Sequence, residues 1–334
     1  MLGCSVPDAD SAAAPGRELV KRSRVVMAQE PDATVAFIPQ PERIPPILQR
    51  GLTNLTGKPT LAEAWRSLVS TQDTVGIKVF SAPGPTSGTR PAVVEAVVKS
   101  LLAAGQPPKQ IVVWDKHLSD LRQARFFELA ERYGVRVAGA AEAGYDDKAQ
   151  QYESALLGQL VWGDLEFGQK GEGIGRKSYV SKLVTQQMTK IINITPLLNH
   201  NFAGVSGNLW GLALGSVDNT IRFENDAERL AMGVPEIIAL PVLGDRVVLN
   251  IVDALICQYQ GEEETLLHYS AALNQLWFST DPVALDVLSI QELERQRRAA
   301  NARAVKTNLE LYQNASLLEI GVSDPGHIDV TRLP

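Results

Sequence analysis

The sequence TVGIKVF (74–80), followed by PAVVEAVVKSLLAAG (91–105) and QIVVWD (110–115), decides the fold. The first and third stretches are short and rich in β-branched residues, which is typical of buried strands. The middle stretch has Pro91 in its first turn and Gly105 at its end, as helices commonly do. Strand, helix and strand at this spacing predict a right-handed βαβ crossover and therefore parallel strands.

The rest of the chain continues the alternation of strands and helices. Its periodicity predicts helices over 121–134 and 281–298 and strands over 190–195, 245–259 and 273–280, the last of these being the final strand. A glycine-rich insertion is expected at about 140–177, with a hairpin around 159–167. We therefore predict an α/β fold with a mostly parallel central sheet flanked by helices, and a single domain over residues 22–334.

Composition excludes several classes of protein. The 334 residues include 32 Lys and Arg against 38 Asp and Glu, a net charge of −6, which argues against a nucleic-acid partner because such binding needs clustered positive charge. Only two cysteines, Cys4 and Cys257, are present, too few for an iron–sulfur cluster within the chain. No apolar stretch reaches the roughly 18 residues of a membrane span. The sequence identifies no redox partner.

The first 21 residues are expected to form a disordered tail or tether. Met1-Leu2-Gly3-Cys4 is similar to the end of a bacterial lipoprotein signal, and the polar, Ala- and Pro-rich residues after it suit a tether. One hypothesis is a lipid anchor at Cys4, with the protein in the periplasm or tethered to the membrane if a signal lies upstream. The alternative is that Cys4 occurs there by chance and the protein is cytoplasmic.

Several motifs together resemble one family. VGIKVF and the helix behind it, VVWD, INITPLLNHNFAGVSGNLWG and FSTDPVALD occur in the order and spacing of the bacterial and archaeal domain-of-unknown-function family 362, most closely of its exported branch. The resemblance covers roughly residues 30 to 333 and implies no established activity. The positions that match its motifs are Lys78, Asn193, His200, Gly204, Asp253, Asp281 and Asp286. Those that depart from them are Phe80, Leu198, Trp210 and Gly211.

Three residues are candidates for catalysis. Lys78 lies inside an apolar strand, where an ammonium group needs a partner or access to the strand's open end. It could contact an anion at the carboxyl edge of the sheet, or form a structural ion pair with Asp115 or Asp253. His200 follows a strand and could carry a proton near neutral pH, and Asp253 could supply a carboxylate.

The same region suggests two kinds of ligand site. His200, Asp115 and Asp253 would offer the nitrogen and oxygen ligands suited to a divalent metal, the one cofactor that we consider. Thr89 and Arg90, before a helix start, could bind an anion. Asn199, beside His200, and Asn193 and Asn208, in the segment that resembles the family, complete the predicted ligand-binding set.

Other features have simpler explanations. Asp281 and Pro282 suit helix capping. GEGIGRKS (171–178) lacks the glycine that a phosphate loop requires before its lysine, and the basic segment 294–306 is expected to be a solvated helix face.

Two functions follow as hypotheses. The first is a protein that binds a small anionic molecule, with a metal-assisted enzyme as its extended form. The second is a non-catalytic exported or lipid-tethered binding protein with a degenerate site. Whether the protein is an enzyme stays open. Convergence of the candidate residues would favour the first hypothesis, and an apolar cleft lined by Phe80 and Trp210 the second.

Overall fold

A computed structural model of the chain describes residues 22–305 and 307–334. The predicted tail, its anchor at Cys4 and the location of the protein depend on residues outside this range and stay predictions. The strands are β1 (Ser23–Gln29), β2 (Thr34–Val35), β3 (Ile38–Pro39), β4 (Val75–Val79), β5 (Ile111–Asp115), β6 (Arg136–Gly139), β7 (Gln151–Glu153), β8 (Lys177–Tyr179), β9 (Lys190–His200), β10 (Gly204–Val205), β11 (Val247–Gln258), β12 (Ser270–Ser279) and β13 (Ile328–Leu333).

Helices separate most of these strands. They are α1 (Ile44–Thr56), α2 (Leu61–Leu68), α3 (Gly84–Ser87), α4 (Pro91–Ala103), α5 (Leu118–Gln123), α6 (Phe127–Tyr133), α7 (Ala140–Ala143), α8 (Asn208–Ser216), α9 (Ile221–Glu224), α10 (Ala227–Ile238), α11 (Pro241–Gly244), α12 (Pro282–Ala299) and α13 (Glu310–Leu317). Within the described ranges, no helix combines the length and the hydropathy that a membrane span needs.

The central sheet confirms the predicted fold class. Its strand order is β13-β1-β12-β11-β9-β4-β5-β6, with β10 paired to β9. The run β11-β9-β4-β5-β6 is entirely parallel, whereas β12 is antiparallel to both of its neighbours. Because five neighbouring strands share one direction, their carboxyl ends lie along one edge of the sheet, where α/β proteins commonly bind ligands.

Helices cover both faces of the sheet. Side chains alternate along β5, so that Ile111 and Val113 pack into the core beneath α1, α2 and α4, while Val112 and Trp114 pack into the core beneath α8, α10 and α12. A parallel sheet that is buried on both faces explains why its strands are almost continuously apolar.

Three details differ from the expectations. The helix predicted over 121–134 is interrupted at Arg125, whose positive φ of 69° ends one helix before the next begins. The hairpin of the insertion is formed by β7 and β8, not by residues 159–167, which form turns. The last strand is β13, which pairs in parallel with β1; the polar residues in its sequence suit an edge strand with one unpaired side.

Arg222 fastens the insertion to the body. Its side chain is 2% exposed, and its guanidinium group donates to the carbonyl oxygens of Tyr152 and Leu156 and to the hydroxyls of Ser154 and Ser178. It also lies 4.7 Å from the ring of Tyr152. One buried side chain therefore satisfies polar groups at both ends of the insertion.

We expect Arg222→Met to loosen the insertion selectively. The substitution keeps much of the apolar volume but leaves buried carbonyl oxygens without a donor, which should lower the free energy of unfolding by about 2–4 kcal/mol. Proteolytic cleavage within 155–176 should accelerate. Arg43→Met, which removes a largely exposed guanidinium, is the control; equal effects of the two variants on cleavage would contradict the assignment.

Candidate binding cleft

A cleft of about 470 Å³ lies at the carboxyl edge of the parallel strands. Its walls come from the ends of β4, β5 and β9, from α8, and from the loop that follows β11. The lining residues are Phe80, Ala82, Asp115, Lys116, His117, Asp120, His200, Phe202, Trp210, Gly211, Leu214, Gly215, Glu224, Asn225 and 261–264. Asp115 and His200 are therefore the predicted site residues that reach this cleft.

Lys78 forms a buried ion pair with Asp115. The distance from its Nζ to Asp115 Oδ1 is 2.8 Å, and both side chains are buried. Lys78 Nζ also donates to the carbonyl oxygen of Val79, while Asp115 Oδ2 accepts hydrogen bonds from the backbone N–H and hydroxyl of Ser81. This ion pair with Asp115 is the contact that the structural alternative for Lys78 predicts.

Helix α8 covers Lys78. A Cβ added at Gly215 would come within 2.4 Å of Lys78 Cε, so the close approach of helix and lysine requires a glycine there. Lys78 does not line the cleft, although its partner Asp115 does. The ammonium group of Lys78 is therefore not at the cleft surface, where the predicted contact with an anion would require it.

Asp253 forms a buried ion pair with Arg90. The carboxylate lies 3.0 Å from Arg90 Nη1, and it accepts a hydrogen bond from the Arg90 backbone N–H at 3.0 Å. Both side chains are buried. This pair joins the residue before α4 to the middle of β11 and leaves neither charge available to a ligand.

The three predicted metal ligands do not converge in the part of the chain that the structure describes. His200 and Asp115 line the cleft, but Asp253 is held away from it by Arg90. Throughout residues 22–305 and 307–334, no group of three or more His, Cys, Asp or Glu side chains is placed to hold a metal ion. A short ion pair satisfies Asp253 within the core, which motif spacing does not reveal.

Thr89, Asn193 and Asn208, also predicted to bind ligand, form hydrogen bonds inside the protein. Thr89 Oγ1 accepts from the N–H of Phe80 and donates to the carbonyl of Ile194. Asn193 donates to the carbonyl of Asn208, whose own backbone and side-chain N–H groups donate to Asp286. Asn208 lines a separate cavity of about 260 Å³ near the start of β11. These residues do not converge on the cleft.

Asp286 explains the buried end of α8. It accepts hydrogen bonds from the backbone N–H groups of Asn208 and Leu209, as a capping carboxylate does. A Cβ at Gly207 would lie 2.3 Å from its Oδ1, so the approach requires glycine. Burial raises the pKa of Asp286 to about 6. The match of Asp286 to the family motif therefore has a structural role in positioning α8.

His200 faces the cleft as a neutral imidazole. Its Nδ1 accepts hydrogen bonds from the backbone N–H groups of Phe202 and Ala203, which assigns the proton to Nε2. Burial lowers the pKa of His200 to about 4. Near neutral pH, His200 can therefore donate a hydrogen bond from Nε2, while Nδ1 is occupied.

Three aromatic rings form one wall of the cleft. The ring of Trp210 packs edge-on against Phe80 with a centroid distance of 5.3 Å, and His200 lies 4.4 Å from Trp210. Phe80 and Trp210 are two of the positions that depart from the family motif. Both rings line the cleft, which is the arrangement that we expected for the non-catalytic hypothesis.

Carboxylates dominate the rest of the cleft. Six of its lining residues are acidic, namely Asp115, Asp120, Glu224, Glu262, Glu263 and Glu264, against one lysine, Lys116. Lys116 is directed to Thr220, whose hydroxyl donates to Glu224. Desolvation raises the pKa of Glu263, and the neighbouring charges of Glu262 and Asp120 raise it further. The cleft thus has a negative potential.

Apart from Asp115, the acidic residues of the cleft rim are not among the residues that the sequence predicts for the site. Glu262, Glu263 and Glu264 form a short run directly after a predicted strand, and that run was the available signal. Asp120 and Glu224 come from helices far apart in the sequence, α5 and α9, and only the tertiary structure brings them to the same cleft.

Comparisons with known proteins place the chain in a sequence family. The family described as Domain of unknown function (DUF362) matches residues 75–291. No curated protein matches the chain. A crystal structure of a protein from Thermotoga maritima, a Northeast Structural Genomics Consortium target, is similar over 79% of this chain with 11% identity and a TM-score of 0.43. The match covers 60% of that protein's length.

Lys78→Met tests whether the lysine is structural. It leaves the buried Asp115 carboxylate without its ammonium partner, so we expect the free energy of unfolding to fall by about 3–5 kcal/mol in urea denaturation. Adding Asp115→Asn should recover part of the loss, because it removes the unpaired charge. Retained stability in the single variant would contradict a structural role.

His200 should titrate far below an ordinary histidine. NMR should show the Nε2–H tautomer at neutral pH and a midpoint near pH 4 instead of 6.5. Because the folded protein binds this proton more weakly than the unfolded chain, His200 should reduce stability as pH falls from 6.5 towards 4. His200→Asn, which retains an acceptor but does not titrate, should remove this contribution. A midpoint near 6.5 would contradict the assignment.

Proposed function

Because the chain belongs to the family described as Domain of unknown function (DUF362), whose description names no activity, we propose its function from the cleft: non-catalytic binding of a small molecule that carries a positive charge beside a flat apolar group. The observation that carries this proposal is the combination, in one cleft, of an aromatic wall with five acidic side chains besides Asp115, which Lys78 neutralises. This proposal keeps the non-catalytic binding of the second sequence-based hypothesis, but with a cationic ligand instead of the anionic one of the first.

The charge of the cleft favours a cation. Lys116 is the sole Lys or Arg among the lining residues; burial lowers the pKa of its ammonium group, which is hydrogen-bonded to Thr220. Desolvation and nearby carboxylates raise the pKa of Glu263, so a positive ligand there would relieve repulsion between like charges. An anion would instead increase that repulsion. Lys78 and Arg90 offer no compensation, since each is neutralised by its own carboxylate.

The aromatic wall favours a flat group next to that charge. Trp210, Phe80 and His200 offer edges and faces against which a planar apolar group can pack. A cation within about 6 Å of an aromatic face is also attracted by the ring's quadrupole. The Nε2–H of His200 adds one hydrogen-bond donor, which would orient an acceptor atom of the ligand.

The same contacts support binding without chemistry. Asp253 and Lys78 are buried in ion pairs away from the cleft surface, and His200 is held neutral by backbone hydrogen bonds to Nδ1. An imidazole that can only donate from one nitrogen suits recognition better than proton shuttling, which needs access to both protonation states.

Benzyltrimethylammonium is a suitable probe, with benzenesulfonate as a ring of opposite charge. We expect calorimetry to show binding of the cation and none of the sulfonate. Glu263→Gln and Glu264→Gln should each weaken cation binding about two- to fivefold, as for partly exposed charge pairs, and more at low salt.

Glu131→Gln, on an exposed turn of α6 outside the cleft, is the matched control and should leave binding unchanged. Equal or tighter binding of the sulfonate would overturn the proposal. So would an equal loss in the control, because that would show attraction by net charge alone.

A further inference from the structure

A pocket of about 320 Å³, separate from the acidic cleft, has the opposite charge. It is lined by Asn199, Asn201, Gln260, Arg297, Arg303, Ala304 and Val305. No acidic residue lines it, whereas two arginines and three side-chain amides do. Asn199 precedes His200 on β9, and the alternation of side chains along a strand directs it away from the cleft that His200 lines.

Arg297 is the central observation. It is 4% exposed, and its Nε donates to the carbonyl oxygen of Tyr259 at 2.8 Å. Among the residues that the structure describes, no carboxylate lies within ion-pair distance of Arg297, and its terminal nitrogens donate no hydrogen bond. Burying a guanidinium without a counter-charge is costly, so an anion in the pocket would offset that cost.

The neighbouring arginines on α12 behave differently. Arg295 pairs with Glu292, and Arg298 lies 4.0 Å from Glu294; both are largely exposed. They fit the solvated basic face that the sequence predicts for 294–306. Arg297 lies on the buried side of the same helix, and Arg303 follows the helix without an ion pair in the described part of the chain. The basic segment therefore has an exposed side with Arg295 and Arg298 and a second side, with Arg297, that lines a pocket.

We propose that this pocket binds a phosphate group. The planar guanidinium of Arg297 can donate two parallel hydrogen bonds to oxyanion oxygens, and Arg303 can supply a second guanidinium. The amides of Asn201 and Gln260 provide further neutral donors at the rim. Two cations and several donors from different directions suit a tetrahedral oxyanion that carries about two negative charges better than a planar carboxylate.

The loop after β11 separates this pocket from the cleft. Glu262 lines the cleft, and its backbone N–H donates to Asn199 Oδ1, while its Oε1 accepts from the Asn201 N–H. The loop thus lines the cleft with Glu263 and Glu264 and is held to two pocket residues through the backbone and carboxylate of Glu262. The two sites are distinct in charge and in lining residues.

Inorganic phosphate is the probe, titrated by calorimetry into the full chain with chloride matched for ionic strength. We expect saturable binding. Arg303→Gln, a change on an exposed segment that should not affect folding, should weaken it about tenfold or more through loss of a charge-assisted contact. Arg297→Met should abolish it, with circular dichroism confirming the fold.

Arg298→Gln is the matched control, because it removes one positive charge from the same helix outside the pocket. It should leave phosphate binding within about twofold. Absence of saturable binding by the wild type, or equal weakening by Arg298→Gln and Arg303→Gln, would overturn the proposal. Cation binding in the cleft should survive Arg303→Gln, so failure of either site can be told from failure of the other.

Discussion

The ion pair between Lys78 and Asp115 is the constraint on which the carboxyl edge of the sheet depends. It joins two neighbouring parallel strands, β4 and β5, at their ends and lies directly beneath α8. Asp115 also accepts hydrogen bonds from the backbone N–H and hydroxyl of Ser81, which begins the loop leading to α3. One carboxylate therefore positions a strand end, a loop and a helix, because its oxygens accept hydrogen bonds from several directions.

A second buried pair, Arg90 with Asp253, repeats this arrangement between α4 and β11. Together the two pairs neutralise the buried charges of Lys78 and Arg90 within the protein. The surface of the cleft is then left with aromatic rings and with carboxylates from the helices and from the loop after β11. The negative potential of the cleft follows because its lining carboxylates outnumber Lys116, while Lys78 and Arg90 are neutralised in the interior.

The departures from the family motif acquire a physical meaning in this setting. Phe80 and Trp210 pack against each other in the cleft wall, and Leu198 is buried in the core. Two of the departures, Phe80 and Trp210, contact one another, so these substitutions are mutually consistent. The matched positions Lys78, Asp253 and Asp286 instead hold strands and helices in place, which shows that a shared motif can reflect packing as well as chemistry.

Sequence alone determined the α/β class, the βαβ crossover over 74–115 and the family, because hydrophobic periodicity and helix end signals are local properties. It also identified Asp281 as a helix cap, since capping depends on a few adjacent residues. It left open whether Lys78 is functional or structural, because an ion pair depends on which strands become neighbours. Only the tertiary structure decided that Asp253 faces Arg90, that His200 is neutral and that Glu224 and Glu263 share a cleft, because these contacts join residues distant in the chain.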